Sequence, residues 1–332
     1  MTRGTLAAGG LRLALWGVLA AVCLPSSSFG FGQGDKGTSA AQFLKIGPGA
    51  RASGMGEAFS GVADDAFAAY YNPAGLGFLK RPEVAATHES RFRSVNYEHA
   101  VAAVPLLSWV ETKRPKNAYG VLAFSVSNLG TGKIERRGVT ETDAPLETFE
   151  SNDIAYALSY GYVFPSINLG LGLTVKYVNA NIDSMDAGSA AADAGVLWRG
   201  RMFSAGLGAR HAGDRLVFAK QSEPLPVTFY GGLGFRPHQS FLLTFDTALA
   251  NDSQPRLSGG AEYRYRPRGV KKLSGTMRAG YATYGAKNAS SGGLTGASFG
   301  LGVGYDHFEF DAAWVPFGDL GDSFKFSLHV KF

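Results

Sequence analysis

The residue types that could perform chemistry are few and scattered along the 332-residue chain. Six histidines (His88, His99, His211, His238, His307 and His329) include no pair at i and i+4 with a Glu between, the helical spacing that holds catalytic zinc. His238-Gln239-Ser240 sets an imidazole two residues from a hydroxyl, types that could act as base and nucleophile, but its neighbours read as a turn. Asp183, Asp186 and Asp193 offer oxygen ligands for calcium. They lack the alternation and terminal Glu of an EF-hand, so they read as solvated loop acids. Gly54-Met55-Gly56 follows no strand and extends to no Gly-x-Gly-x-x-Gly, which excludes a nucleotide loop. The basic turns Lys113-Arg114, Arg199 to Arg201 and Arg264 to Lys272 read as solvated rims that could attract an acidic partner. A formal net charge of +5 with no dense helical stripe of Lys and Arg excludes a nucleic-acid partner. The chain is expected to be no enzyme and to hold no cofactor and no metal.

The elements that must position these residues are strands. The 45 glycines are roughly 14% of the chain, about twice ordinary usage, and Gly costs about 1 kcal/mol per site inside a helix. Charged residues make up 18% and the mean hydropathy is −0.02, which excludes both a disordered chain and a bundle of membrane helices. Period-two alternation recurs. Leu169, Leu171, Leu173, Val175 and Tyr177 point one way and Gly170, Gly172, Thr174 and Lys176 the other. Phe299 to Tyr305 and Phe308 to Trp314 repeat the pattern with large apolar residues on one face. Lipid outside and a tight polar interior account for it, with Tyr177, Tyr265, Tyr284 and Trp314 as interfacial girdles.

About fourteen such strands run from Glu83 to the C-terminus, an even number that puts both ends on one side. Short turns at Pro165-Ser166, Gly200-Arg201, Pro237 to Gln239 and Asp306 alternate with longer connections at Leu129 to Asn152, Asp183 to Ala190, Gly213 to Leu225, Gly285 to Leu294 and Pro316 to Asp322. Leu107 to Asn117 is long on the short side. The last strand alternates without error: Phe324, Phe326, Leu328, Val330 and Phe332 are apolar and the residues between them polar. A terminal strand ending in Phe resembles the substrates of the outer-membrane barrel assembly machinery. The expected fold is all-β: a transmembrane antiparallel β-barrel of about 14 strands with an N-terminal plug, seated in the lipid bilayer of a bacterial outer membrane.

Three segments follow. Arg3 and Arg12, the apolar run Leu13 to Leu24 and the small residues near Ser28 and Gly30 form a secretory signal over residues 1–30; the run is too short to span a bilayer, which needs about twenty residues. Cys23 falls within it, so the mature chain is expected to have no thiol, disulfide or cysteine metal site. Residues 31–81 are rich in Gly and Ala, with short helical pieces and no alternation, as a plug in close contact with a wall requires; residues 82–332 are the barrel. Asp64 is expected to cap one short helix, and Asn72 before Pro73 another.

Ala50-Arg51-Ala52-x-Gly54-Met55-Gly56-x-Ala58, then Ala63-Asp64-Asp65 and Tyr71-Asn72-Pro73-Ala74-Gly75-Leu76, resemble the N-terminal signature of the PorV/PorQ family. More remotely they are similar to the hatch of FadL-type long-chain fatty-acid transporters. The motif spans about forty residues; the rest agrees in architecture alone. The PorV/PorQ resemblance implies a binding or shuttle role beside secretion-system proteins that move cargo to the cell surface. The FadL resemblance implies a fourteen-stranded barrel with a lumen plug and passive transport of a hydrophobic ligand. The small inward residues, Leu242 and Val163 excepted, weigh against a large apolar lumen pocket.

Overall fold

The computed structural model describes residues 38–91, 95–107, 110, 114–139, 143–218, 221–270, 272–283, 294–318 and 321–332. The proposed signal 1–30, Lys113 and Tyr284 lie outside the described residues.

Alternation of bulky apolar with small or polar residues leaves each segment one face for lipid and one for the interior. The strands pair all the way round, so no edge remains. The wall strands are β1 (Glu83–Ser90), β2 (Val95–Pro105), β3 (Val121–Thr131), β6 (Ser151–Phe164), β7 (Leu169–Ile182), β8 (Met185–Arg199), β9 (Phe203–Gly213), β12 (Thr228–His238), β13 (Phe241–Ala250), β14 (Arg256–Tyr265), β15 (Leu273–Ala282), β16 (Ala297–Tyr305), β17 (Phe308–Pro316) and β18 (Asp322–Lys331). These fourteen form a closed antiparallel barrel in sequence order, and β18 returns to β1 with Glu83 opposite Lys331 and Ser90 opposite Phe324. Two small hairpins stand outside the wall: β4 (Ile134–Arg136) with β5 (Glu147–Phe149), and β10 (Leu216–Phe218) with β11 (Gln221–Glu223).

Leu173, Leu301 and Met277 are each more than 60% exposed, and Phe310, Phe326 and Leu243 also point outward. A continuous apolar band of this kind is stable against hydrocarbon rather than water. The chain is an outer-membrane-type barrel. Tyr177 and Tyr265 are outward and exposed as the girdle reading requires, whereas Trp314 is half-buried against Phe299, ring centroids 5.9 Å apart.

Most turns on the side of the C-terminus are short, which marks the opposite end as the outer one. One expectation needs correction. Asp183 to Ala190 is no loop: β7 and β8 continue to Ile182 and Met185 and join by a tight turn in which Asp183 has φ +58°. The connection from β2 to β3 is long at the short-turn end, as the spacing predicts, and β3 begins at Val121. Asn117 there donates to Gly77 O at 2.6 Å, so the longer loop supplies a polar contact to the chain inside the barrel.

Residues 38–82 occupy the lumen. They comprise 3-10 turns at Gln42–Lys45 and Pro73–Phe78 and single helical turns at Ala50–Ser53 and Ala68–Tyr71. Helices this short do not persist in water without packing. Here Met55, Phe59, Phe67, Tyr71 and Leu76 bury almost completely, forming the main core together with inward Leu197 and Leu242. Small wall residues make this possible. A side chain at Gly172 would strike the Pro73-Ala74 backbone, and one at Gly280 the Met55-Gly56 backbone.

Candidate functional site

The lumen segment is pinned by wall side chains that satisfy its backbone, as buried peptide groups require. Asp246 on β13 accepts from Phe59 N at 3.0 Å and Ser60 N at 2.7 Å. Ser327 accepts from Ala50 N at 2.8 Å, Thr87 from Gly49 N at 3.1 Å, and Ser298 from Gly56 N at 3.0 Å. In the opposite sense Arg199 donates to Val62 O at 2.8 Å and stacks over Phe78 at 4.2 Å. Arg199 is therefore no solvated rim residue, and neither is Arg264, which pairs with Glu309 at 2.9 Å.

Arg51 is the hub. It is buried, donates to Glu262 Oε2 on β14 at 2.8 Å, and pairs with Asp64 at 2.5 Å and Asp65 at 3.1 Å. Glu262 also receives Arg278 at 2.8 Å, and Arg278 reaches Asp311 at 2.5 Å. Asp64 caps no helix, contrary to expectation. It is consumed by Arg51 and by Arg236 at 3.0 Å, while Asp65 Oδ1 accepts from Phe67 N at 3.0 Å. Asn72 does cap: its Oδ1 accepts from Ala74 N at 3.2 Å, with Pro73 at the first helical position, and its Nδ2 donates to Ser60 O and Val196 O, both at 3.1 Å. Gly54, Met55, Gly56, Ala58, Pro73, Ala74, Gly75 and Leu76 are all buried between this network and the wall.

Above the hub the packing opens. A cavity of about 240 Å³ lies at the outer end between the lumen segment and the wall. Ile46, Val315 and Phe317 give it an apolar side; Glu57, Glu89, Arg91, Arg256 and Lys325 give it a charged one. Arg256 pairs with Glu57 at 2.5 Å and Lys325 with Glu89 at 3.0 Å, while Arg91 lies 5.2 Å from the Phe317 ring centroid. The Ser53 hydroxyl, which lines the cavity, is buried with no protein partner.

Residues 39–46 form an arm along one side of this cavity. Its main polar anchor is Asp252, in the turn after β13, which receives Ser39, Gln42 at 2.6 Å and Lys45 at 3.0 Å. Burial opposes ionisation of Asp252, but hydrogen bonds from Gln42, Ser39 and Lys45 outweigh it and hold the carboxyl below its ordinary range. Phe43 and Leu44 pack beside Val178, Leu216 and Leu225.

The remaining candidates disperse. Asp193 is not a loop acid: it points inward and meets Lys176 at 2.5 Å, while Asp183 pairs with Arg136 at 2.5 Å. Ser240 N donates to His238 Nδ1 at 3.2 Å in an exposed turn. Among the described residues no group of His, Cys, Asp or Glu is arranged to hold a metal. Phe324, Phe326 and Leu328 face outward on β18, Val330 is half-buried, and Phe332 N donates to Pro82 O at 3.0 Å. Glu262, Arg278, Asp246 and Arg256 were not anticipated. Their signal is a charge on the inward phase of an otherwise alternating strand.

No protein-family model matches the chain, and neither does any curated protein. Solved structures do. The monoaromatic hydrocarbon channel CymD superposes with a TM-score of 0.54 at 12% identity, over 86% of this chain and 98% of its own. The Pseudomonas putida toluene transporter TodX gives 0.54 at 11%, over 86% and 97%. A Pseudomonas aeruginosa FadL homologue gives 0.53 at 11%, over 86% and 98%. What is shared is the FadL-like barrel fold. At these identities the likeness concerns architecture, and the side chains around the cavity are this chain's own.

Proposed function

We propose that the protein is a passive outer-membrane channel for small, mainly apolar molecules, which it captures in the outer cavity. The carrying observation is that cavity, set between the anchored lumen segment and the wall beside the arm 39–46. Its volume exceeds the roughly 150 Å³ that accommodates benzene in an apolar protein cavity. Its mixed lining favours a molecule with an apolar body and one polar end, the body against Phe317, Val315 and Ile46 and the polar end toward Ser53 and the charged side. The likeness to hydrocarbon channels supports transport over the secretion-linked role implied by PorV/PorQ resemblance, for which nothing in the cavity or the wall argues.

Uptake of labelled toluene and benzoate into cells making the protein tests this reading. Val315→Trp, which fills the cavity from the wall, should lower uptake at least several-fold while the barrel still resists unfolding in cold detergent. Equal uptake by the wild type, Val315→Trp and cells without the protein would overturn it.

A further inference from the structure

The two ends of the barrel differ in charge. Among the described residues the exposed charges of the outer end are mostly acids, Asp143, Glu147, Asp183, Asp186 and Glu223 among them. At the inner, short-turn end Asp306 is the one exposed acid among the described residues, and Lys272 meets it at 2.6 Å. The cations of this end include a continuous arc. Arg201 stands in the turn before β9, Arg236 near the end of β12, and Arg266 and Arg268 in the turn after β14; all four are exposed. Their turns are neighbours, since Arg236 N donates to Met202 O at 2.7 Å and Arg264 N to Ser240 O at 2.8 Å. Arg236 reaches Asp64 at 3.0 Å with nearly half of its side chain still exposed. Arg201, Arg266 and Arg268 meet no anion among the described residues. At the same end, the strands that carry the arc turn aromatic rings to the lipid: Phe203 on β9, Phe235 on β12, Phe241 on β13, and Tyr263 and Tyr265 on β14. Phe203 and Phe235 stack with centroids 4.7 Å apart, and Phe241 stands opposite Tyr263.

We propose that this arc binds the phosphate headgroups of anionic phospholipids in the leaflet at the inner end of the barrel. The planar guanidinium fork matches a pair of phosphate oxygens, and clustered cations at a membrane surface select lipids of net negative charge. Lipid-facing rings mark the depth where acyl chains give way to headgroups, and the arginines follow them by one or two residues, at the level of the phosphates. A zwitterionic headgroup would bring its ammonium against the guanidinium groups, whereas an anionic one brings phosphate without that repulsion. An acidic protein would answer the cations alone. A lipid answers both features, its phosphate on the arc and its chains on the rings beside it.

Native mass spectrometry of the protein purified from membranes tests this, with phosphatidylglycerol, phosphatidylethanolamine of the same chains, and glycerol phosphate as probes. The wild type should retain phosphatidylglycerol at least several-fold better than phosphatidylethanolamine, and glycerol phosphate hardly at all. Arg201→Gln, Arg266→Gln and Arg268→Gln together should remove that preference with the heat-modifiable mobility of the folded barrel retained, and Arg268→Gln alone should weaken it. Lys133→Gln, Arg137→Gln and Arg215→Gln take the same charge from exposed positions at the outer end and should leave the preference intact. In native membranes a photoreactive residue in place of Gln239, exposed in the turn after β12, should capture phospholipid. No preference in the wild type, a preference indifferent to the inner substitutions or lost equally with the outer ones, glycerol phosphate retained as well as the lipid, or a protein adduct at position 239 would each overturn the proposal.

Discussion

The inner and outer parts of the lumen segment are held in different ways. From Gly49 to Phe78 the backbone lies directly on wall glycines, and its polar groups are taken up by Asp246, Ser298, Ser327 and the Arg51–Glu262 pair. From Ser39 to Lys45 the chain rests on a small apolar cluster and one carboxylate, and the cavity opens beside it. A wall that approaches backbone to backbone has two consequences: little can move, and nothing can be inserted. Room for a ligand and freedom to move therefore coincide at the outer end. A channel built this way would respond to its ligand through the arm and leave the anchor in place.

The largest test of that contrast is Arg51→Ala. It would leave Glu262, Asp64 and Asp65 buried without their main cation, and breaking one side of a buried pair typically costs about 3–5 kcal/mol. The expected result is protease-sensitive residues 49–78 inside a barrel that still forms, read by limited proteolysis; an anchor as resistant as the wild type would refute the hub. Gly280→Val should follow, at about 1–3 kcal/mol from overpacking, because its side chain would meet the Met55-Gly56 backbone. Gly275→Val provides the comparison, since a Cβ there meets nothing and denaturation in urea should shift little.

The wall was legible because period two is unforgiving. A slip of one residue would turn Leu171, Leu173 and Val175 into the lumen and Gly170 and Gly172 into lipid. The capping role of Asn72 was legible for the same local reason, since Asn-Pro fixes both the cap and the first helical residue. Asp64 was misassigned because its partners are not helix amides but side chains, Arg51 in the same segment and Arg236 on β12, and no local pattern announces either. Asp193 failed likewise, an inward strand residue that faces Lys176 on the neighbouring strand. The cavity left no sequence signal at all, because its lining comes from the arm, the first helical turns and four wall segments that only barrel closure brings together.

The outer arm should give way to smaller changes. Asp252→Asn removes the charge that gathers Ser39, Gln42 and Lys45, worth about 1–2 kcal/mol once the partial exposure of Lys45 is discounted. Amide exchange should rise over 39–46 and stay unchanged over 49–78; equal rises in both would mean that the two parts are one cooperative unit.

Acid offers the mildest form of the same perturbation. The Asp252 carboxyl is held below its ordinary range in the fold, so its contribution is fully present above its unfolded value near ~3.9 and is lost as pH falls through the lower folded value. Between pH 7 and 5 the arm should therefore be indifferent to pH. Below about 4 it should loosen, and pepsin, which works in that range, should cut at Phe43-Leu44 earlier than anywhere in the anchor. In Asp252→Asn that cleavage should already be fast at the upper end of pepsin's range and vary little below it. If the wild type and the variant share one pH profile, a carboxylate other than Asp252 governs the arm.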